Sequence, residues 1–260
     1  MPDEKRLPIS VSMIAGNEAH RIQRVLDSVS GWVAEIIVVI NDDVADGTDK
    51  IAEASGAKVF REPWKGYGPQ KNSATDKATQ PWLLNLDADE EVTPALRDEI
   101  RRALLEPGSC VAFSFPRCTR FCGRWIRHGD WYPDRQTRLW RRGKARWSGV
   151  QVHETLEADG LVGRLRSDLL HHLTETIDRQ IAKISAYTGA FVRDRQLQQR
   201  RAGGWDLMVR PAWRFVRCFF FRLGFLDGWQ GCYIAWMTAF YTATRYAKIR
   251  AAQERKDQPG

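Results

Sequence analysis

The stretch WLLNLDADEEV, Trp82 to Val92, runs from an apolar segment directly into four acidic side chains. A short apolar run of this kind fits a strand covered on both faces, and carboxylates at its end call for solvent or a ligand there. Working outward, the first hundred residues alternate short apolar runs with amphipathic ones, the pattern of a parallel sheet wound with helices. Strands are predicted near 8–14 (PISVSMI), 35–40 (EIIVVI), 57–60 (AKVF) and 82–86 (WLLNL). Helices are predicted near 18–30, 47–55, 69–79 and 94–105, the last with Thr93 as N-cap and Pro94 at its first position.

The 260 residues, 43% hydrophobic and 28% charged, suffice for one large or two modest globular domains. The five cysteines, Cys110, Cys118, Cys122, Cys218 and Cys232, form no CxxC pair or metal-ligand spacing and read as free thiols in a reducing compartment. The opening MPDEKRLPIS lacks an apolar core, so the catalytic body is expected in the cytoplasm. A formal net charge of +8 implies an anionic partner: nucleic acid, an anionic membrane or a phosphorylated substrate. Most of that excess lies in the tail, where residues 201–260 hold ten Lys/Arg against four Asp/Glu.

From 110 to 170 short strands and turns rich in Trp, Arg and Gly replace the alternating pattern, a composition suited to walling a polar pocket. From 174 onward the chain reads as mostly helical. The segment PAWRFVRCFFFRLGF (211–225) sets Arg214, Arg217 and Arg222 among aromatics, which suits a headgroup boundary, and the uncharged run 228–244 is just short for a spanning helix. The tail is therefore expected to lie on a membrane, with packing on the catalytic domain or a dimer contact as competing readings. No nucleic-acid fold signature is visible, so nucleic acid is not expected as a partner.

Asp87 and Asp89 sit two apart at the strand end, and in extended backbone that spacing points both carboxylates the same way, with small Ala88 allowing close approach. Two hard oxygen ligands suit Mg²⁺ or Mn²⁺ bridging to a diphosphate. The first strand ends in IAGNE (Ile14–Glu18) and the second in INDDVADGT (Ile40–Thr48), so three strands deliver polar residues to one rim.

In that order and spacing, SVSMIAGNE, EIIVVINDDVADGT, AKVFREPWKGYGPQKNSA and WLLNLDADEEV resemble the family 2 inverting glycosyltransferases of the GT-A nucleotide-sugar fold. The blocks HGDWYPDRQTRLWRRGKARWSGVQVHE and FFFRLGFLDGWQGCYIAWMTAFYTATRYAK narrow the resemblance to the lipopolysaccharide-core glucosyltransferases. The resemblance implies a Rossmann-like α/β fold with a mostly parallel sheet over 1–172, divided into a nucleotide-sugar half (1–106) and an acceptor half (107–172). A helical, basic and aromatic extension over 173–260 follows. It also implies a peripheral enzyme on the inner face of the inner membrane, moving a hexose, glucose from UDP-glucose, onto a lipid-linked saccharide such as the lipopolysaccharide inner core. Transfer to polyprenyl phosphate or another glycolipid, and a non-catalytic module binding nucleotide-sugar or membrane, are the alternatives.

By the same resemblance Ala15, Asn17, Glu18, Asn41, Asp42, Lys71, Asn72, Asp87 and Ala88 would line the nucleotide-sugar pocket. Asn41 stands where the family usually has Asp. Asp89 would hold the metal, with His153 as a further ligand. An inverting transfer needs a base for the acceptor hydroxyl. Asp134, in an aromatic-walled turn after Pro133, is the first candidate, Glu154 the second and Asp130 the third. Arg138, in the "RLW" block, is expected on the leaving diphosphate. His171 and His172 are read as capping or packing residues.

Overall fold

The computed structural model describes residues 6–148, 154–173, 177, 178, 180–182, 188 and 203–257, with side chains to 254. The chain divides into two compact units, Met1–Arg117 with Asp134–His172, and Cys118–Pro133 with Leu173–Gly260. Residues 118–133, assigned to the first domain on sequence grounds, thus group with the second.

In the first unit, β1 (Leu7–Ala15), β2 (Val33–Asn41), β3 (Lys58–Glu62) and β4 (Trp82–Asn85) alternate with α1 (Ile22–Val29), α2 (Thr48–Ala54) and α3 (Tyr67–Asp76). β5 (Glu90–Val92), α4 (Pro94–Leu105), β6 (Cys110–Phe121), β7 (Arg124–Trp125), β8 (Asp134–Arg141), β9 (Ala145–Trp147), β10 (Leu156–Ala158), β11 (Leu161–Arg164) and β12 (Leu169–His171) follow; β6 beyond Arg117 and β7 belong to the second unit. The main sheet runs β3-β2-β1-β4-β8-β6-β12-β5, with β9 and β10 paired separately. β1 pairs in parallel with both β2 and β4, while β8 joins β4 and β6 antiparallel. After β1 the chain builds outward through β2 and β3, then returns to place β4 on the other side of β1. Strand order therefore reverses between β1 and β4, and a crevice opens beyond their carboxyl ends.

The reason is burial. Val11, Met13, Val38, Ile40, Leu84 and Leu86 are fully enclosed, each contributing about 1.5–3 kcal/mol relative to exposure. On α1, Ile22, Val25, Leu26 and Val29 recur at helical spacing and are all buried. The Thr93 hydroxyl accepts the Leu96 N–H at 3.1 Å, capping α4 as expected. α3 lies so close to the chain after β9 that a Cβ on Gly68 would collide with the Ser148 carbonyl.

Three local expectations are corrected. Helix α1 starts at Ile22, because Glu18 sits in a turn whose carbonyl accepts the Arg21 and Ile22 N–H groups. Helix α3 runs from Tyr67 to Asp76 where 69–79 was expected, with Lys71 and Asn72 inside it in both cases. Strand β4 ends at Asn85, so Asp87 and Asp89 occupy a turn closed by Glu90 N–H to Asp87 O at 3.0 Å, with no extended backbone to align them.

The second unit holds α5 (Gly204–Val216), a π-helical turn (Arg217–Phe221), a 3₁₀ turn (Gly224–Asp227) and α6 (Gly228–Asp257). Phe121, Ile126, Cys218, Ile234 and Ala235 form its core. No helix among the described residues is long and apolar enough to cross a membrane. All five cysteines are free.

Glu35 on β2 is buried and ties three elements together. It accepts bonds from the Ser10 hydroxyl, from Lys58 Nζ at 2.8 Å and from Thr79 N at 2.9 Å. Burial pushes its pKa up, but these donors outweigh it and hold the carboxyl at about 2. The unfolded chain, with its ordinary value near 4.5, binds more protons, so this stabilisation is present above that value and lost as pH falls towards 2. Denaturant unfolding at pH 6 and pH 2.5 is expected to show a loss on the order of 2 kcal/mol from this group. Glu35→Gln should flatten that slope, and superimposable slopes would remove the ion pair from the account.

Candidate functional site

The site is built from the ends of β1, β2 and β4, and its centre is a buried guanidinium. Arg138, 3% exposed on β8, reaches across to β4. Its guanidinium donates to Asn85 Oδ1 at 2.9 Å, Asp87 Oδ2 at 2.6 Å and Glu90 Oε1 at 3.1 Å. Glu90 is fully buried, accepts the Asp87 N–H at 3.0 Å through its other oxygen, and meets Arg117 at 3.4 Å. Thus two carboxylates and two guanidinium groups lock the turn that carries Asp87 and Asp89.

Lys71, 4% exposed, comes up from α3. Its ammonium lies 3.2 Å from Asp87 Oδ1, 3.4 Å from Glu154 Oε1 and 4.5 Å from the centre of the Trp147 ring. The Arg138 guanidinium sits over the same indole at 5.6 Å. Burial pushes the Asp87 pKa up, but Arg138, Lys71 and Arg117 together hold it far below the usual carboxylate range. Arg138 is correspondingly raised, because Asp87 and Glu90 outweigh the desolvation that would lower it.

Asp89 takes different partners. Its Oδ2 lies 3.4 Å from Arg21 and 3.5 Å from His171 Nε2. Burial pushes its pKa up and Asp87 does the same, yet the His171 bond and charge with Arg21 hold it below the ordinary value. His171, read from sequence as packing, is therefore beside the second carboxylate, while His172 bonds Glu91 at 2.6 Å.

The other expected residues divide by what already occupies them. Asn17 Oδ1 accepts the Ala45 N–H at 3.2 Å, and the Glu18 carboxylate pairs with Arg21. Asp46, which sequence reading passed over, accepts Ala19 N–H at 2.9 Å and Thr48 N–H at 3.0 Å, joining the loops after β1 and β2. Asn41 closes β2 and Asp42 is exposed beyond it, while Ala15 and Ala88 are buried. Asn72 spends its amide on both backbone groups of Trp147, each at 3.0 Å, so it holds β9.

Asp134 opens strand β8, where a turn was expected, and receives Arg117 Nε at 2.9 Å, Arg117 Nη2 at 2.6 Å and Gln136 Nε2 at 2.8 Å. Asp130 belongs to the second unit and is ringed by Arg214, Arg217 and Arg222, which makes it a hub of that unit's packing. His153 lies outside the described residues. Arg138, expected on the leaving diphosphate, spends its two terminal nitrogens on Asn85, Asp87 and Glu90 and leaves its buried Nε without a hydrogen-bond partner, so in this arrangement it positions the carboxylate turn. No group of three His, Cys, Asp or Glu among the described residues forms a closed metal-ligand set. A hard cation of the Mg²⁺ type needs no such set: it binds through one or two carboxylates and takes substrate phosphates and water for the rest. Asp89 fits that description better than Asp87, whose two oxygens both face cations.

Residues 10–167 match the family model for glycosyl transferase family 2. The lipopolysaccharide core biosynthesis glycosyltransferase LpsC of Rhizobium meliloti is 30% identical, over 93% of this chain and 94% of its own length. An uncharacterized glycosyltransferase of Rickettsia felis is 29% identical over 93% of this chain and 89% of its own. Among solved structures, residues 1–349 of S. aureus TarS in complex with UDP-GlcNAc superpose with a TM-score of 0.54, covering 97% of this chain and 93% of that one, at 14% identity, a likeness of fold.

Removing Arg138 leaves half-buried Asp87 and fully buried Glu90 without their main countercharge. Arg138→Met is expected to cost on the order of 3 kcal/mol in urea unfolding. Arg138→Lys should recover little of it, since one ammonium cannot span Asn85, Asp87 and Glu90 at once.

Proposed function

This chain belongs to glycosyl transferase family 2, and from that premise we propose that it is a metal-assisted inverting hexosyltransferase, taking glucose from UDP-glucose to a lipid-linked saccharide such as the lipopolysaccharide inner core. The observation that carries the reading is the locked carboxylate turn at the strand-order reversal, the place where an α/β sheet binds a nucleotide. In this reading the protein works as a peripheral protein at the cytoplasmic face of the inner membrane, where donor and lipid-borne acceptor meet.

Asp89 would hold Mn²⁺ or Mg²⁺, which when bound neutralises diphosphate charge that carboxylates alone would repel. The chain's own residues do the remaining work. Arg138 and Lys71 keep Asp87 ionised and fixed, so that it meets the ribose or the cation without reorganising. Exposed Asp42, with Asn41, Asn17 and Glu18, is assigned to the base and ribose. Buried Ala15 and Ala88 keep the floor of the crevice small.

An acceptor hydroxyl must lose its proton as the sugar carbon is attacked opposite the leaving diphosphate. Glu154 and Asp134 are the carboxylates proposed for this step. Asp134 is held by three short bonds, whereas Glu154 meets Lys71 at 3.4 Å, so Glu154 has oxygen lone pairs less committed to internal donors and is placed first.

Thermal unfolding with a panel of nucleotide-sugars, each with Mn²⁺ and with chelator, tests donor and metal together. A metal-dependent rise in midpoint with UDP-glucose is expected in the wild type and not in Asp89→Asn. Glu154→Gln should keep that rise while losing about 10²–10⁴-fold in transfer rate to a labelled glycolipid. If Asp89→Asn turns over with metal as the wild type does, the proposal fails. If Asp134→Asn alone abolishes transfer, the base is Asp134.

A further inference from the structure

The second unit turns its apolar residues the wrong way for a soluble protein. On α5, Trp205, Met208, Val209 and Trp213 recur at spacings of three and four, so they form one stripe. A surface helix normally packs such a stripe on its core. Here all four are exposed, Trp205 at 76%, and Pro211 is the buried residue of the helix. The stripe continues into the turn that follows. The Trp213 and Phe221 rings are 5.6 Å apart, and Phe215 joins Trp236 at 4.6 Å to Phe219 at 5.5 Å. Phe221 is 70% exposed and Trp236 is exposed as well, while Phe215 and Phe219 are half-buried against the unit's core, so the exposed rings form an apolar surface facing water with half-buried rings packed behind Trp236.

Charge on this face is mostly positive. From Leu207 to Leu226 the chain carries Arg210, Arg214, Arg217 and Arg222 and no Asp or Glu. Asp206, one residue after Trp205, is the acid on this helix and pairs with Arg210, so arginines still outnumber acids on the face, and two other acids of the unit are withdrawn. Asp227, 2% exposed, accepts Arg127 N–H at 3.0 Å and His128 N–H at 2.8 Å, and half-buried Asp130 takes Arg217 at 2.6 Å. The guanidinium groups of Arg210, Arg214 and Arg222 remain partly exposed.

We infer that the face formed by α5, the turn after it and the first half of α6 docks on an anionic lipid bilayer. Its rings enter the acyl boundary and its arginines meet lipid phosphates. Charge complementarity selects this occupant. A second copy of the chain, joined about a two-fold axis, would set the arginine row against itself. The inference rests on the glycosyltransferase reading only for its use, since a lipid-borne acceptor gives such a surface a purpose.

The test is co-sedimentation of the full chain with vesicles of phosphatidylglycerol and phosphatidylcholine, and with phosphatidylcholine alone. The wild type should partition at least about tenfold more strongly to the anionic vesicles, with an affinity that falls as salt rises. The double variant Trp205→Ser with Phe221→Ser should lose about tenfold or more of that partition while keeping its thermal midpoint and its stabilisation by UDP-sugar, because both rings are already in water. Arg210→Gln with Arg222→Gln should remove most of the preference for anionic vesicles. Equal binding to both vesicles, or unchanged partition of the ring variant, overturns the inference. So does a ring variant that changes only self-association, or a wild type that binds an oligonucleotide and no vesicle. None of these outcomes touches the donor-binding result, so the two readings fail separately.

Discussion

The first unit depends on one buried cation. Arg138 sits among Asn85, Asp87 and Glu90 with almost no access to water, and each of those partners belongs to β4 or the turn that leaves it. Burying a guanidinium is unfavourable unless its donors are met, and burying Glu90 is unfavourable unless a cation meets it. The two costs cancel only in the geometry that also fixes Asp87. A turn that would otherwise be a flexible surface loop is thereby held as firmly as the strands beside it.

That rigidity has a chemical consequence. Asp87 and Asp89 are neighbours in sequence but answer to different surroundings, one to Arg138 and Lys71, the other to Arg21 and His171. Desolvation presses both towards the neutral form, and the cations around them prevail. Both are therefore negative at neutral pH in a crevice partly screened from water, where charge interactions are stronger than at an open surface. Trp147 completes the arrangement as an apolar wall that two cations share. Asn72 holds that wall in place through both backbone groups of the tryptophan.

The second unit follows a different logic. Asp130 and Asp227 turn inward to satisfy arginines and backbone N–H groups, while Trp205, Trp213, Trp229 and Trp236 turn outward. Hydrophobic burial alone would not select that arrangement, since many rings gain nothing in water. It becomes favourable when an apolar, anionic phase is added to the system.

Much was legible in the sequence because it rests on local rules. The alternation of apolar runs and amphipathic segments determined β1 to β4 and the helices between them, and Thr93-Pro94 determined where α4 begins. The run LDADEEV marked the site. What the sequence left open was set by contacts between distant residues. Arg117 and Arg138 are 27 and 48 positions from Glu90, and nothing in their neighbourhoods marks them as its partners. Lys71 was expected beside the nucleotide pocket by resemblance, but its partners, Asp87 and Glu154, are set by the packing of α3, which presses close to Ser148 at Gly68. His171 read as packing until β12, paired with β5, brought it beside Asp89. Periodicity and capping act over a few residues and can be read along the chain, whereas which charge compensates which in a buried site is decided by strand order and desolvation, which exist only once the sheet is assembled.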